Sequence, residues 1–333
     1  MHDPANARIC ISSSMKCMPR PSATLTWPGF RPDGGLLLPL RVEEFLTGLP
    51  PSLAWQGPTL ERKDECHVTV LNRACGNAAR DALGDAGVRR LFEDQGWILN
   101  RTGGARLLRK PGTPDAFTLI EDVDLPALNA FREAMSRAMS AELPAVPPHV
   151  TLYTAGKPEG IGLPDRQTLA RLEVARLRLP GIANRHPPAL SPALQHAYRA
   201  THYSVRAGSA VDIRIGKHSP AADALLDAHH ARRALLLSAC NPFSEASSET
   251  ANQLRHSMLA MAMRPLGLTA LSAEGRDPAG EWPPEAGLLV VGTTPELELQ
   301  LLCDYEQHAA VLLQHGRPAE LLYHPDGTQD YTA

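Results

Sequence analysis

Cys66-His67-Val68-Thr69-Val70-Leu71 is echoed later in the chain by His149-Val150-Thr151-Leu152-Tyr153, which follows Pro147-Pro148. Both runs are apolar, rich in β-branched residues and bounded by turn formers, which predicts strands. Along a strand, residues i and i+2 share a face and stand roughly 6.6 Å apart. Each run therefore sets an imidazole and a hydroxyl on one face, His67 with Thr69 and His149 with Thr151, and turns Val68 and Val150 toward a core. Two such strands side by side would line one pocket with two histidines and two threonines. Imidazole, with an ordinary pKa of about 6.5, takes or gives a proton near neutral pH. Hydroxyls on stiff β-branched side chains suit donation to phosphate oxygens. The matched pair predicts a phosphate site with an acid and a base. The plainer alternative is a pair of buried polar positions satisfied by their neighbours.

Working outward, similar elements flank both copies. Asn77 to Asp94 and Pro126 to Leu143 have apolar residues at helical spacing, the second with Asp124 as its expected N-cap. Trp97-Ile98-Leu99, Arg106-Leu107-Leu108 and Phe117-Thr118-Leu119-Ile120 are expected as three separate strands between Gly and Pro turns. The expected class is α+β: a bilobal, duplicated antiparallel-sheet domain over residues 31–180, then a smaller α/β domain over 198–325. Residues 181–197, with Pro187-Pro188 and Pro192, are the expected linker. Residues 1–30 lack periodicity and are expected to be disordered, with Met15 and Met18 as alternative starts.

Composition narrows the classes. A chain of 333 residues, 43% hydrophobic and 21% charged, is long enough for two domains with real cores. No stretch approaches the ~20 apolar residues of a membrane span, and the first 28 residues lack the apolar core of a secretory signal. The six cysteines are scattered without a C-x-x-C pair, which favours free thiols and a reducing cytoplasm. Residues 1–180 carry 22 Lys and Arg against 20 Asp and Glu, and residues 181–333 carry 11 against 16. Neither half has the basic excess of a protein that grips long nucleic acid, whereas a small phosphorylated ligand or an RNA end fits. Arg101, Arg106, Arg109 and Lys110 form a local basic group, expected as solvated surface.

The paired motifs His67-x-Thr69 and His149-x-Thr151 resemble those of the two-histidine (2H) phosphoesterase superfamily over residues 31–180. That resemblance implies a metal-independent, cofactor-free phosphodiesterase acting on cyclic or 2′-linked phosphodiesters of RNA ends or small nucleotides. It implies His67 and His149 as general acid and base, and Thr69 and Thr151 as phosphate donors. The alternative from another class is a module that holds a nucleotide or RNA-end phosphate without turnover. A metal site is not expected, because His186, His196, His202, His229 and His230 fit no common zinc spacing.

Residues 198–323 resemble a bacterial domain of unknown function, on Ser238-Ala239-Cys240-Asn241-Pro242, Ser248, Asn252, the Gly275 to Trp282 loop and Glu306-Gln307-His308-Ala309. Tyr305-Glu306-Gln307 departs from the Phe-Gly-Gln-like triplet usual there. Asn241, Asn252 and Trp282 are the candidate second-domain site, set against turn chemistry and packing as the plainer reading.

Overall fold

The computed structural model describes residues 23–113 and 115–327. The first half runs β1 (Ala23–Thr24), β2 (Leu36–Leu40), α1 (Val42–Leu46), β3 (Ser52–Leu53), β4 (Leu60–Arg62) and β5 (Cys66–Leu71). It continues through α2 (Arg73–Glu93), β6 (Ile98–Arg109), β7 (Phe117–Asp124), α3 (Pro126–Met139), β8 (His149–Ala155), α4 (Arg166–Leu172) and β9 (Glu173–Arg178). The second half opens with α5 (Pro192–Ala200), β10 (His202–Ala207), β11 (Ser209–Ile213), α6 (Pro220–Ala228) and β12 (Arg233–Leu237). A short 3₁₀ turn at Pro242–Ser244 leads to α7 (Glu249–Met263), β13 (Thr269–Arg276), β14 (Glu285–Val291), α8 (Pro295–Asp304), β15 (Ala309–Gln314) and β16 (Glu320–Tyr323).

The class is α+β, built on two antiparallel sheets. Among the described residues the first has the order β1-β6-β7-β8-β4-β3, with β9 pairing a later stretch of β6 than β1 does, and β2 pairs with β5 beside it. The second has the order β11-β10-β13-β14-β12-β15-β16. Pro39 sits in β2 opposite His67, a place open to proline because among the described residues β2 pairs with β5 alone.

Several elements differ from expectation for identifiable reasons. Trp97–Leu99 and Arg106–Leu108 belong with one long strand, β6, whose register against β7 slips between Arg101 and Ala105. The glycines there make a bulge rather than a turn. Asp124 ends β7 instead of capping α3; the cap position is Leu125, and Pro126 supplies the fixed φ of a first helical turn. That helix stops at Met139 because Ser140 turns left-handed (φ 51°), before the prolines are reached. In the expected linker, Pro192 starts α5, with Ser191 capping Leu194 N–H. The expected disordered tail falls mostly on residues 1–22, outside the described residues. Within it, however, β1 pairs with β6, and Trp27 packs edge-on against Phe92, which stacks on Trp97 at 4.2 Å.

The two halves share a core. Ala251, Leu254 and Met258 of α7 are buried in the same apolar cluster as Val68, Val150 and Phe131. Burying a Leu or Met side chain stabilises by about 1.5–3 kcal/mol, so α7 contributes to the unit that carries the histidines. Glu306 lies at the junction with φ 50°, the backbone region that suits the glycine of the resembled triplet. Here a buried Glu occupies it, and its carboxylate pairs with Arg178 at 3.3 Å and Arg185 at 3.0 Å. No helix among the described residues is long and apolar enough to cross a membrane.

Candidate functional site

The strand period places the motif residues as their spacing requires. In β5, Cys66, Val68 and Val70 are buried while His67 and Thr69 are half-buried on the other face. In β8, Val150 and Leu152 are buried while His149 and Thr151 are half-buried. β5 packs against β8. No ladder pairs the two among the described residues. Cys66 belongs to the core side, and burial pushes its thiol up to about 11, far from a reactive thiolate.

One side chain ties the two strands together. Arg132 of α3 is buried, donating from Nη1 to Val70 O in β5 and from Nε to Pro144 O on the approach to β8, each at 2.8 Å. The spacing of His149 is also pinned locally. Its Nδ1 lies 2.8 Å from Pro147 O. A carbonyl only accepts, so the proton belongs on Nδ1 and Nε2 keeps its lone pair in the neutral ring.

Burial disfavours the charged form of both rings in the free protein. Burial pulls the His149 pKa below the usual imidazole value, partly opposed by the Pro147 hydrogen bond and by Asp122, and a charge on His67 lowers it further. Burial also lowers His67, opposed by Glu65, whose Oε1 is 4.0 Å from Nδ1, while Arg31 and Lys63 add to the lowering. Each ring thus disfavours a proton on the other. An anion between them would favour one proton.

Asp122, the ladder partner of His149, is neutralised by Arg106 at 2.7 Å, and Arg106 also meets Glu173 at 2.6 Å. Arg101 pairs with the fully buried Glu121 at 2.5 Å. Arg101 and Arg106 are therefore not solvated surface, as their sequence context had implied; opposite charges across the sheet draw them inward. Arg109 does remain outside, lying over the Phe117 ring.

Space at the site is uneven. A cleft of about 370 Å³ opens beside His67, lined also by Arg31, Asp33, Lys63, Glu65 and Arg73; Thr69, His149 and Thr151 are not part of its lining. Thr151 instead faces the loop after β8. A Cβ added to Gly160 would stand 3.6 Å from Thr151 Oγ1, and the positive φ of Gly160 (80°) lets the chain pass there. Lys63 Nζ donates to Pro158 O at 3.0 Å, joining this loop to the approach to β5. Among the described residues no group of three or more His, Cys, Asp or Glu is placed to hold a metal ion.

The second-domain candidates are brought together. Asn241 N–H donates to Asn252 Oδ1, Asn252 Nδ2 donates to Asn241 Oδ1, both at 3.0 Å, and Asn241 Nδ2 donates to Glu285 Oε2 at 2.7 Å. A second, larger cavity is lined by Asn241, Asn252 and Glu285, and Trp282, 45% exposed, stands at its rim. Sequence reasoning missed Tyr198 and His256 in that lining. Tyr198 was hidden because α5 straddles the end of the expected linker and the start of the second domain, so no helix was expected there, while His256 shows only as a polar stripe on α7.

A family model described as a protein of unknown function (DUF3293) matches residues 237–310. The matched stretch runs from the end of β12 into β15 and includes Asn241, Asn252, Trp282 and Glu285; both motif histidines lie outside it. No curated protein and no solved structure matches the chain. The second half thus carries a domain of unknown function.

Proposed function

We propose that His67 and His149 form the acid–base pair of a phosphodiesterase acting on cyclic or 2′-linked phosphodiesters of RNA ends or small nucleotides. The observation that carries this reading is the matched placement. Two packed strands each turn a histidine and a threonine to a half-open face over a buried apolar one. In the proposed step on a 2′,3′-cyclic phosphate, water attacks phosphorus in line as its proton passes to His149 Nε2. The phosphorus–oxygen bond to one ribose oxygen breaks, that oxygen takes a proton from His67, and a phosphomonoester remains.

His149 is the better base: burial favours its neutral ring, with Nδ1–H committed to Pro147 O. His67 is the better acid, since Glu65 and the incoming anion both favour its proton. Thr69 and Thr151 donate to non-bridging oxygens, where charge develops.

The test is turnover of nucleoside 2′,3′-cyclic monophosphates by the full chain, followed as release of the 2′- or 3′-monophosphate. Activity should persist in EDTA; loss that a divalent ion restores would move the chemistry elsewhere. Thr69→Val and Thr151→Val should each lower kcat/KM by an amount worth about 1–3 kcal/mol, the loss of one neutral donor. Tight nucleotide binding by a parent protein that shows no turnover would favour the non-catalytic phosphate-binding module.

A further inference from the structure

A second cavity, of about 1290 Å³, lies where the two halves meet and is well apart in composition from the histidine cleft. Its size exceeds the 300–1,000 Å³ usual for small-molecule sites. One wall is α7, which presents Glu249, Asn252, Gln253 and His256 at the three- and four-residue spacing of one helix face. The opposite face of α7, with Leu254, Met258 and Leu259, is buried in the cores. The turn between β3 and β4 closes another side: Ala54 N–H donates to Ser257 Oγ, and Gln56 Nε2 donates to Glu249 Oε1, both at 3.1 Å. Leu236 and Val311 supply apolar surface, and Tyr198 and Trp282 supply aromatic rings.

The polar end of this cavity is rigid and carries an unneutralised carboxylate. Asn241, Phe243 and Ser244 all have positive φ (45°, 49° and 60°), a conformation that costs about 1–3 kcal/mol at each non-glycine residue. The turn is over-determined by hydrogen bonds. Asn241 Oδ1 accepts from Ser247 N–H and from Asn252, Phe243 N–H donates to Glu306 O at 2.6 Å, and Tyr198 and Ser244 share a hydroxyl contact at 2.8 Å. Asn241 Oδ1 thus accepts twice, and its Nδ2 donates to Glu285, which fixes that carboxylate. Among the described residues no lysine or arginine lines the cavity, and Glu285 takes its hydrogen bonds from the neutral side chains of Asn241 and Ser238. The buried His256 Nδ1 has no hydrogen-bond partner among the described residues. Burial lowers the His256 pKa and raises that of Glu285, against hydrogen bonds from Asn241 and Ser238.

We propose that this cavity binds an organic amine, a cationic N–H group set against Glu285 and carried on an aromatic or apolar body that packs against Trp282, Tyr198, Leu236 and Val311. Two carboxylates and no strong cation repel phosphates and carboxylates, so a nucleotide is the wrong ligand here. A protonated amine meets the carboxylate through a charge-assisted hydrogen bond, and the face of Trp282 attracts the same cation. His256 adds a neutral donor or acceptor. The assignment does not depend on the phosphodiesterase reading, since the two sites share no residue.

Isothermal titration of the full chain with 2-phenylethylamine, and with 3-phenylpropionate as its anionic counterpart, tests this directly. The amine should bind and the carboxylate should not. Glu285→Gln, which keeps an acceptor for Asn241, should weaken amine binding about tenfold or more, the size of one charge-assisted hydrogen bond. Trp282→Ala, at an exposed rim position, should weaken it about fivefold. His67→Ala should leave it unchanged. No amine binding at millimolar concentration, equal binding of the carboxylate, or full affinity in Glu285→Gln would each overturn the proposal.

Discussion

Alanine at His67 or at His149 is expected to lower turnover of a nucleoside 2′,3′-cyclic phosphate by about 10²–10⁴-fold, the usual contribution of a positioned acid or base. The double variant should fall little further, because the pair acts as a unit. Folding should survive, as both side chains lie on half-open faces and the buried partners Val68 and Val150 are untouched. The pH dependence follows from the directions of the shifts. Activity needs His149 neutral and His67 protonated. The acid limb of kcat/KM, set by His149, should lie below the ordinary imidazole range, because burial lowers that pKa. His67 is lowered in the free protein too, so the basic limb should also come early. A bound phosphate anion favours the proton on His67, so the basic limb of kcat should lie at higher pH than that of kcat/KM. Near-parental turnover by both alanine variants, on a substrate the parent hydrolyses, would remove the histidines from the mechanism.

The same two shifts bear on stability. A histidine whose folded pKa is depressed binds fewer protons folded than unfolded, so its contribution is complete above the unfolded value of about 6.5 and is lost as pH falls below it. The alanine variants should therefore lose less stability than the parent on going from neutral to mildly acidic pH, which denaturation at the two pH values checks.

What the sequence disclosed and what it hid divide along a physical line. The alternation in Cys66–Leu71 and His149–Ala155 is local: β-branched residues favour the strand, and its period of two decides which side chains face the core. Helices α2 and α3 were legible from their apolar spacing for the same reason. Boundaries were less so, since Asn72 caps α2 from a stretch that reads as turn. Ion pairs such as Arg101–Glu121 depend on which strands pair and in what register, and register is a tertiary property. The second cavity is the extreme case. Trp55, Tyr198, Asn241 and Glu285 come from four separate segments, and no local pattern links them.

Arg255 shows how far such a property can be from its sequence context, and it carries the largest expected effect on stability. In the apolar pattern of α7 an arginine reads as outward, yet this one is 0% exposed. Its guanidinium donates from Nε to Ala239 O and from Nη2 to Tyr305 O, each at 2.7 Å, and from Nη1 to Arg178 O at the end of β9. Three carbonyls from both halves thus converge on one planar fork, whose charge also lies over the Tyr305 ring. Burial lowers its pKa to about 10, so it stays charged at neutral pH. Arg255→Ala removes three donors from buried carbonyls and leaves a void. The expected cost is about 3–5 kcal/mol, or a fall in melting temperature of roughly 10 °C. Arg255→Lys keeps the charge but not the fork and should restore only part of the loss. Arg80→Ala, which removes an exposed pair with Asp85, should cost under about 1 kcal/mol. If Arg255→Ala melts with the parent, the carbonyls find water in its place, and the junction between the halves does not rest on this side chain.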